Sequence, residues 1–354
     1  MLKHIFEKVR DGERLSLQDG LELFDSNDLL VIGMMADSVR RKKHPKPVVT
    51  YIIDRNINYT NVCVTECTFC AFYAKVGDEK KSYTLSNEAL GNKIQETIDL
   101  GGTRILLQGG LNPELRMDYY EDLFRFIKSN YRIWLHALSP EEIVFIAREN
   151  GLKTREVIKR LIDAGLDSIP GGGAEILVDD VRDKIAPKKC TSDEWLGVMN
   201  EAHRLGLKTT ATMMFGHVES YEDRLQHMIV VRELQDKTGG FTAFIPWTFQ
   251  PRNTELAENH DNLREKSSAF DYLKTLAISR LMVDNVDSIQ VSWVTQGLKV
   301  AQIGLQFGAD DFGSLMIEEN VVSAAGTKHF SGFNLNQIKR SIKAAGFEPE
   351  QRFI

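Results

Sequence analysis

Three of the chain's four cysteines lie close together in the stretch 58–73, which reads NYTNVCVTECTFCAFY. Cys63, Cys67 and Cys70 form the pattern C-x₃-C-x₂-C, and only Cys190 lies elsewhere. Where thiols stay reduced, clustered cysteines indicate metal binding or catalysis before disulfides. The spacing therefore predicts that this segment carries the chemistry of the chain.

Two simpler interpretations of the three cysteines stay open. Positions i, i+4 and i+7 share one face of a helix, which is compatible with small buried side chains, although the surrounding Thr, Val and Asn suit a loop better. A structural zinc ion usually takes four ligands, and Cys190 or His136 would have to complete the set from a distance. Three thiolates are more typical of a 4Fe–4S cubane whose fourth iron lacks a protein ligand. Such an iron is open to a small chelating ligand, such as the amino and carboxylate groups of S-adenosylmethionine.

Short apolar runs alternate with amphipathic stretches along most of the chain. The runs that predict strands begin at Thr50, Thr103, Arg132, Leu166, Lys208, Gly240, Ser288 and Ala301. Eight strand–helix alternations with almost continuously apolar strands are typical of an α/β fold, the parallel (β/α)₈ TIM-type barrel. We expect an N-terminal helical cap at 1–48, the barrel at 49–311, and a lid with closing helices at 312–354.

Composition and charge limit the functional classes. The chain has 354 residues, of which 42% are apolar and 27% are charged, and its net charge of −6 argues against nucleic acid as the main partner. No apolar run approaches the roughly 20 residues that span a bilayer. The start, MLKHIFEKVRDGERLSL, has no apolar signal region. We therefore expect a cytoplasmic enzyme that acts on a small molecule.

Polar or glycine-rich residues follow several predicted strands, at the end where a barrel has its active-site mouth. His217 and Glu219, two residues apart after the fifth strand, are predicted as the catalytic pair that binds substrate or moves a proton. Further predicted substrate contacts follow the third, sixth and seventh strands: His136, Ser139, Trp247, Phe249, Gln250, Ser292, Thr295 and Gln296. Each also has a structural interpretation, since a lone histidine is often structural and aromatic rings can fill a barrel top. Cys190 has no partner in the sequence and is predicted to be inert.

The cysteine pattern, with the aromatic Phe69 before its last cysteine, resembles the signature of the radical S-adenosylmethionine (SAM) superfamily. Within it, the chain resembles the family of cyclic dehypoxanthinyl futalosine synthases of the futalosine route to menaquinone. Besides the cysteine stretch, the segments that carry this likeness are GGTRILLQGGLNPEL, LDSIPGGGAEIL, GLKTTATMMFGHVES, GGFTAFIPWTFQP, SWVTQG and EENVVSAAG. They run through essentially the whole predicted barrel, whereas the cysteine motif alone indicates only the superfamily.

The resemblance implies a 4Fe–4S cluster held by Cys63, Cys67 and Cys70, with SAM on the open iron. The residues that it implies for cofactor binding are Phe69, Tyr73, Gln108, Gly109, Gly110, Ser168, Glu175 and Lys189. The implied reaction takes hydrogen from the ribose 4′ carbon of dehypoxanthine futalosine and adds the sugar radical to the substrate's benzoate ring. Loss of an electron and a proton then restores the ring. A reductase, or an electron donor of the flavodoxin or ferredoxin type, is the implied partner.

Three other functions stay open from the sequence. Aminofutalosine synthase and the subunits that make the deazaflavin precursor of coenzyme F420 share several of the same segments. A non-catalytic zinc-binding module would use the three cysteines with a distant fourth ligand. The first two use a different substrate, whereas the third would show no radical chemistry at all.

Overall fold

Parallel strands with helices outside them confirm the predicted barrel-type α/β fold. The structure is a computed structural model that describes residues 2–263, 265–327 and 334–353. Seven strands form one curled parallel sheet in chain order: β2 (Asp54–Asn58), β3 (Arg104–Gln108), β4 (Trp134–Ala137), β5 (Ser168–Ile169), β6 (Lys208–Phe215), β7 (Phe241–Thr248) and β8 (Ser288–Ile289). A second sheet has the order β10–β1–β9 and consists of β1 (Val48–Ile52), β9 (Asp311–Ser314) and β10 (Glu348–Gln351).

Helices follow most strands and cover the outside of the sheet. The longer ones are α1 (Lys3–Asp11), α2 (Leu17–Asp25), α3 (Leu29–Lys43), α4 (Asn87–Asp99), α5 (Met117–Asn130), α6 (Pro140–Asn150), α7 (Thr154–Ala164), α9 (Ser192–Arg204), α10 (Tyr221–Thr238), α12 (Ala269–Met282) and α16 (Leu335–Ala344). The shorter ones are α8 (Asp179–Ile185), α11 (Glu255–Asn259), α13 (Trp293–Gln296), α14 (Leu298–Gly304), α15 (Val321–Ala324) and the 3₁₀ turn Asp261–Leu263. Among the described residues, none of these helices combines the length and apolar character needed to cross a membrane.

The first three helices pack together at the outside of the barrel. α3 lies against α12, and α2 lies against both α10 and α12. α2 begins at Ser16, whose hydroxyl accepts the amide N–H of Asp19 while the Asp19 carboxylate accepts the Ser16 amide, so the helix start is specified locally. The helices predicted for 1–48 are therefore present, and their division from the rest as a cap stays a prediction.

An extended segment, residues 310–318, bridges the two edges of the seven-stranded sheet. On the β8 side, the Asp310 amide donates to the Ile289 carbonyl at 3.1 Å. On the β2 side, the Ile317 amide donates to the Asp54 carbonyl at 3.2 Å. Because these bonds occupy both edges, the segment takes the place of an eighth strand and closes the ring. It also crosses the boundary that the sequence predicts between barrel and lid.

The eighth strand predicted from Ala301 is wrong, because that run is the helix α14. Ala301, Gly304 and Leu305 are buried, and their spacing of three and four residues is that of one helix face. A Cβ on Gly304 would lie 2.9 Å from side-chain atoms of Leu276 and Val291, so glycine allows α14 to pack closely. A short apolar run without charges is compatible with the periodicity of a strand and with that of a helix. In this protein the run packs as a helix.

A buried ion pair joins the closing segment to the outer helix α12. The Asp310 carboxylate pairs with Arg280, which is fully buried, and accepts the Ile289 amide at 2.8 Å. We expect Asp310→Ala to lower the free energy of unfolding by about 3–5 kcal/mol, because the Arg280 charge then stays buried without its partner. Urea unfolding measures this loss. The matched control Asp122→Ala removes an exposed pair with Arg125 and should cost less than about 1 kcal/mol.

Candidate active site

The three clustered cysteines lie in a loop between β2 and α4, which argues against the helical interpretation. The Cys63 amide donates to the Ala74 carbonyl at 3.0 Å, so the loop returns on itself. The Cys70 amide donates to the Cys67 carbonyl at 3.0 Å and tightens the turn that ends the motif. Between the first two cysteines, Glu66 has a φ of +47°, a left-handed conformation that lets the chain reverse. The loop thus curls so that thiols are presented to a common space.

All three thiols line one large cavity at the mouth of the barrel. Burial raises the pKa of the Cys67 thiol to about 12 and also raises that of Cys70. Buried thiols become good ligands only when a cation compensates for the cost of desolvating the thiolate. Three thiols that face one cavity therefore fit an iron–sulfur group, whose iron would supply this compensation.

The arrangement does not favour a zinc ion. Within the described parts of the chain, no group of three or more histidine, cysteine, aspartate or glutamate side chains is placed to hold a metal ion. The ligands of structural zinc converge on one point, with zinc–sulfur distances of about 2.3 Å. The ligands of a cubane bind different irons, so their sulfur atoms need not converge. Cys190 does not complete the set, because its Sγ lies beside the Arg182 guanidinium at 3.8 Å.

Two glycines at the end of β3 pack directly under the cysteine loop. The Gly110 amide donates to the Thr60 carbonyl at 2.9 Å. A Cβ on Gly110 would come within 2.9 Å of Cys63 Cβ and closer still to the Val62 carbonyl. A Cβ on Gly109 would likewise meet the ring of Tyr59. Bare backbone is therefore required where β3 meets the loop.

A buried carboxylate ties this glycine turn to the next strand. Glu142 accepts the Gly109 amide at 2.9 Å and the Tyr59 hydroxyl at 2.8 Å. Its other oxygen accepts the amide and the hydroxyl of Ser139, and the Ser139 hydroxyl in turn caps α6. Burial raises the pKa of Glu142 despite these bonds. Ser139, predicted as a substrate contact, thus lines the cavity while its side chain supports the helix start.

Glu175 and Lys189 form an ion pair that is buried in the cavity wall. Burial alone raises the pKa of Glu175, but the charges of Lys189 and Arg182 outweigh burial and hold it below its ordinary value. The Lys189 ammonium also lies 5.1 Å from the centre of the Phe69 ring, which precedes the last cysteine of the loop. The predicted cofactor residues Phe69, Glu175 and Lys189 are therefore brought together beside the cysteines.

Replacing Lys189 by methionine should lower the free energy of unfolding by about 3–5 kcal/mol near neutral pH, because Glu175 stays buried without its partner. The pKa of Glu175 lies below 4.5 in the folded protein, so its contribution is present above that pH and is lost as pH falls through the lowered value. The deficit of the variant should therefore shrink on acidification. Urea unfolding at neutral pH and at acidic pH values below the ordinary glutamate pKa of about 4.3 measures it.

The neighbouring lysine provides a matched control for this prediction. Lys188 pairs with Glu66 at 3.3 Å, but both side chains are largely exposed. We expect Lys188→Met to cost less than about 1 kcal/mol and to show little change of that cost with pH. Equal losses in Lys188→Met and Lys189→Met would contradict the role of the buried pair.

His217 and Glu219 lie beneath the loop that follows β6 and do not line the cavity. Both side chains are 0% exposed. Glu219 accepts the amides of Gly216 and His217 and pairs with Arg224 at 2.9 Å, and this charge contributes to keeping its pKa low. His217 Nε2 lies 3.1 Å from the Met214 carbonyl. The pair therefore holds the loop, and its assignment as catalytic base stays a prediction that the burial does not favour.

The interior of the barrel is hollow, and many of the residues that line it are polar. Alternate residues of the strands point inward, among them Asp54, Asn56, Asn58, Arg104, Leu106, Gln108, Trp134, His136, Ser168, Thr210, Thr212, Gln290 and Ser314. They line a cavity of about 1100 Å³ that continues from the cysteine loop into the barrel. Most drug-sized ligands occupy about 300–1,000 Å³. The cavity is therefore large enough for a nucleoside-type substrate beside a cofactor.

The other predicted site residues divide into two groups. Those that line the cavity are Tyr73, Gln108, Gly109, Gly110, His136, Ser168, Trp247, Ser292 and Thr295. Those that do not are Phe249, Gln250 and Gln296. Phe249 packs against Cys67 in an apolar cluster, while the amide of Gln296 donates to Thr248 Oγ1 at 2.6 Å. The side chains of the second group therefore support the loops around the cavity.

Sequence reasoning missed the polar residues in the depth of the barrel, such as Asn56 and Arg104. Asn56 is buried, and its Oδ1 has no hydrogen-bond partner among the described residues. The available signal was the recurrence of polar or charged side chains at every second position of DRNIN (Asp54, Asn56 and Asn58), together with Arg104 and Gln108 at the two ends of RILLQ. A parallel strand buried on both faces is otherwise nearly continuously apolar, so this alternation indicates an interior that holds a ligand.

Comparison with known families and proteins shows the family to which the chain belongs. The family description "Radical SAM superfamily" matches residues 57–229, and "CofH/MqnC C-terminal region" matches residues 238–353. The chain is 48% identical over 349 residues to cyclic dehypoxanthine futalosine synthase of Halalkalibacterium halodurans, covering 98% of this chain and 92% of that protein. It is 44% identical to the synthase of the same name from Streptomyces coelicolor, covering 99% and 87%.

Two further similar proteins share less sequence identity with the chain. The aminodeoxyfutalosine synthase of Thermus thermophilus is 39% identical, with 98% of this chain and 93% of that protein covered. Among solved structures, methylornithine synthase (PylB) superposes with a TM-score of 0.76 at 17% identity, covering 98% and 97%. At that identity the second likeness shows the fold alone.

Proposed function

The chain belongs to the radical SAM superfamily, and we propose that it cyclises dehypoxanthine futalosine to cyclic dehypoxanthine futalosine in menaquinone biosynthesis. The observation that carries the proposal is a three-cysteine loop at the mouth of a hollow barrel, in a chain that matches cyclic dehypoxanthine futalosine synthases over almost its whole length. A barrel of this kind can enclose a nucleoside-derived substrate and keep water away from a reactive radical.

We assign Cys63, Cys67 and Cys70 as the three ligands of a 4Fe–4S cluster. When bound, the cluster and SAM supply a 5′-deoxyadenosyl radical that abstracts hydrogen from the substrate. Gly109 and Gly110 line the same cavity beside the loop, and we assign their backbone to the methionine part of SAM. What supports this assignment is the loop that brings three cysteines to one cavity, where bound iron would compensate for the cost of burying their thiolates.

The wall beside the cysteines offers both charges that a zwitterionic cofactor needs. Lys189 suits the carboxylate of SAM, and Glu175 suits its amino group or its ribose hydroxyls. The two residues neutralise one another in the pair described above, so the site is stable before any ligand binds. Phe69 and Tyr73 line the same wall and add apolar surface for the adenosyl group.

The reaction also needs an electron donor outside the chain. We propose a reductase or a flavodoxin- or ferredoxin-type protein as that partner, since the cysteine loop lies at the open end of the barrel. A reduced cluster and free thiols suit the reducing cytoplasm, where we place the enzyme. We also retain the helical cap at 1–48 and the lid with closing helices at 312–354, and what supports the lid is that Met316, Glu319, Val321 and Val322 line the cavity. Residues 328–333 and 354 of this range lie outside the described residues.

An anaerobic assay with dehypoxanthine futalosine, SAM and a strong reductant tests the proposed function. We expect 5′-deoxyadenosine together with a product that is lighter than the substrate by two hydrogen atoms, as one abstraction and one oxidation require. Parallel reactions with the enolpyruvyl substrate of aminofutalosine synthase, and with tyrosine plus a flavin precursor, serve as controls. Turnover of either control substrate in place of dehypoxanthine futalosine would contradict the proposal.

A further inference from the structure

His136 lies on β4 with its imidazole in the wall of the cavity. Its Nδ1 is 2.7 Å from the hydroxyl oxygen of Ser168 on the neighbouring strand β5. The indole N–H of Trp134 donates to the same oxygen at 2.9 Å. The three side chains thus form a short hydrogen-bonded chain in the depth of the barrel.

This chain favours the imidazole tautomer that carries its proton on Nε2. The indole can only donate, so the Ser168 oxygen accepts that bond and keeps one proton to donate. Nδ1 of His136 is the acceptor that the described residues offer to this proton. The proton of a neutral imidazole then lies on Nε2, for which the described residues provide no partner and which is not sealed from solvent. His136 therefore presents an N–H donor to the cavity.

The electrostatic surroundings of His136 favour an anion. Burial, followed by the charges of Arg104 and Arg352, lowers the pKa of His136 well below its ordinary value, so the imidazole is neutral. Arg104 projects into the cavity from the adjacent strand β3. Its Nε and Nη2 donate to Asp54, while Nη1 has no hydrogen bond within the described chain. A neutral N–H donor together with a guanidinium N–H of Arg104 is complementary to a carboxylate.

We propose that His136, positioned by Trp134 and Ser168, donates its Nε2–H to the carboxylate of the substrate's benzoate group, with Arg104 facing the same anion. The inference rests on the proposed function for the identity of the substrate. It orients the substrate with its benzoate in the depth of the barrel and its ribose toward the cysteine loop. Because Nε2 already carries a proton, His136 acts as a donor that binds and orients, not as a base.

Equilibrium binding to the anaerobic, SAM-loaded holoenzyme tests this inference. We compare dehypoxanthine futalosine with its primary amide, which has the same shape but no negative charge. The wild type should bind the acid roughly 10- to 100-fold more tightly, as expected for a hydrogen bond to a charged group. His136→Phe should lose most of this preference, His136→Gln should keep part of it, and Trp134→Phe should lose less than His136→Phe.

The outcomes separate this inference from the proposed function. Equal binding of acid and amide by the wild type, or an unchanged preference in His136→Phe, would overturn the carboxylate site even if the acid is cyclised. If the acid binds with the expected preference but is not cyclised, the proposed function fails and the carboxylate site stands. The wild-type comparison needs no substitution, so a variant that fails to fold leaves the test intact.

Discussion

Cys67→Ala is expected to lose both the iron–sulfur cluster and all detectable reductive cleavage of SAM, while Cys190→Ala retains both. Cys67 lies in the cavity-lining loop with Cys63 and Cys70, and two thiols cannot hold a cubane at this site in the way that three can. Cys190 is equally buried, but it lies beside Arg182 rather than in the loop. Iron and sulfide content after anaerobic reconstitution, and the yield of 5′-deoxyadenosine, measure the two effects.

Comparing Cys67→Ala with Cys190→Ala distinguishes the loss of a cluster ligand from the loss of packing in the protein interior. Both substitutions remove one buried sulfur, so any loss of stability from the empty space should be of similar size. Cys63→Ala and Cys70→Ala should behave like Cys67→Ala. Retained SAM cleavage in any one of the three, or loss of the cluster in Cys190→Ala, would contradict the assignment of ligands.

Gly110→Ala is expected to remove most of the activity although it adds a single methyl group. The added Cβ would overlap the Val62 carbonyl and crowd Cys63, so the cysteine loop must move. Backbone cannot yield as a flexible side chain does, and overpacking of this kind typically costs about 1–3 kcal/mol. Because the displaced segment carries a proposed ligand, we expect a lower iron content and weaker SAM binding, both measurable on the reconstituted protein.

Gly197→Ala is the matched control for that substitution. Gly197 lies in α9, and an added Cβ would meet no atom within 4 Å. The alanine should stabilise the helix by about 0.5–1 kcal/mol and leave cluster content and SAM cleavage as in the wild type. If Gly110→Ala keeps full iron content and activity, the close packing of β3 against the loop is not needed for the site.

Much of the fold could be predicted because most strands are apolar, short and separated by amphipathic helices. The strands β3, β4, β6 and β7 lie where their apolar runs predict them. The run from Thr50 instead divides between β1 and β2, which belong to two different sheets. The closing segment 310–318 was missed because its hydrogen bonds to both sheet edges are long-range contacts. Its own sequence also lacks the alternation of polar and apolar residues that is typical of a strand.

The candidate site could likewise be predicted only in part. Cysteine spacing and glycines leave a strong local signal, and the structure brings Cys63, Cys67, Cys70 and Gly110 together as predicted. Which polar side chain points into the barrel and which supports a loop depends on the tertiary packing. His217 illustrates this limit, because its position after a strand suggested the mouth, whereas the Glu219 and Arg224 network holds its loop away from the cavity.

Electron paramagnetic resonance of the anaerobically reconstituted and reduced protein, recorded with and without SAM, shows whether the loop holds a cluster that SAM can reach. We expect the signal of a reduced 4Fe–4S cluster that changes shape when SAM is added, because we propose that SAM binds to the iron without a protein ligand. A protein that stays colourless and silent after reconstitution would contradict this expectation. A cluster signal that SAM leaves unchanged would contradict it equally.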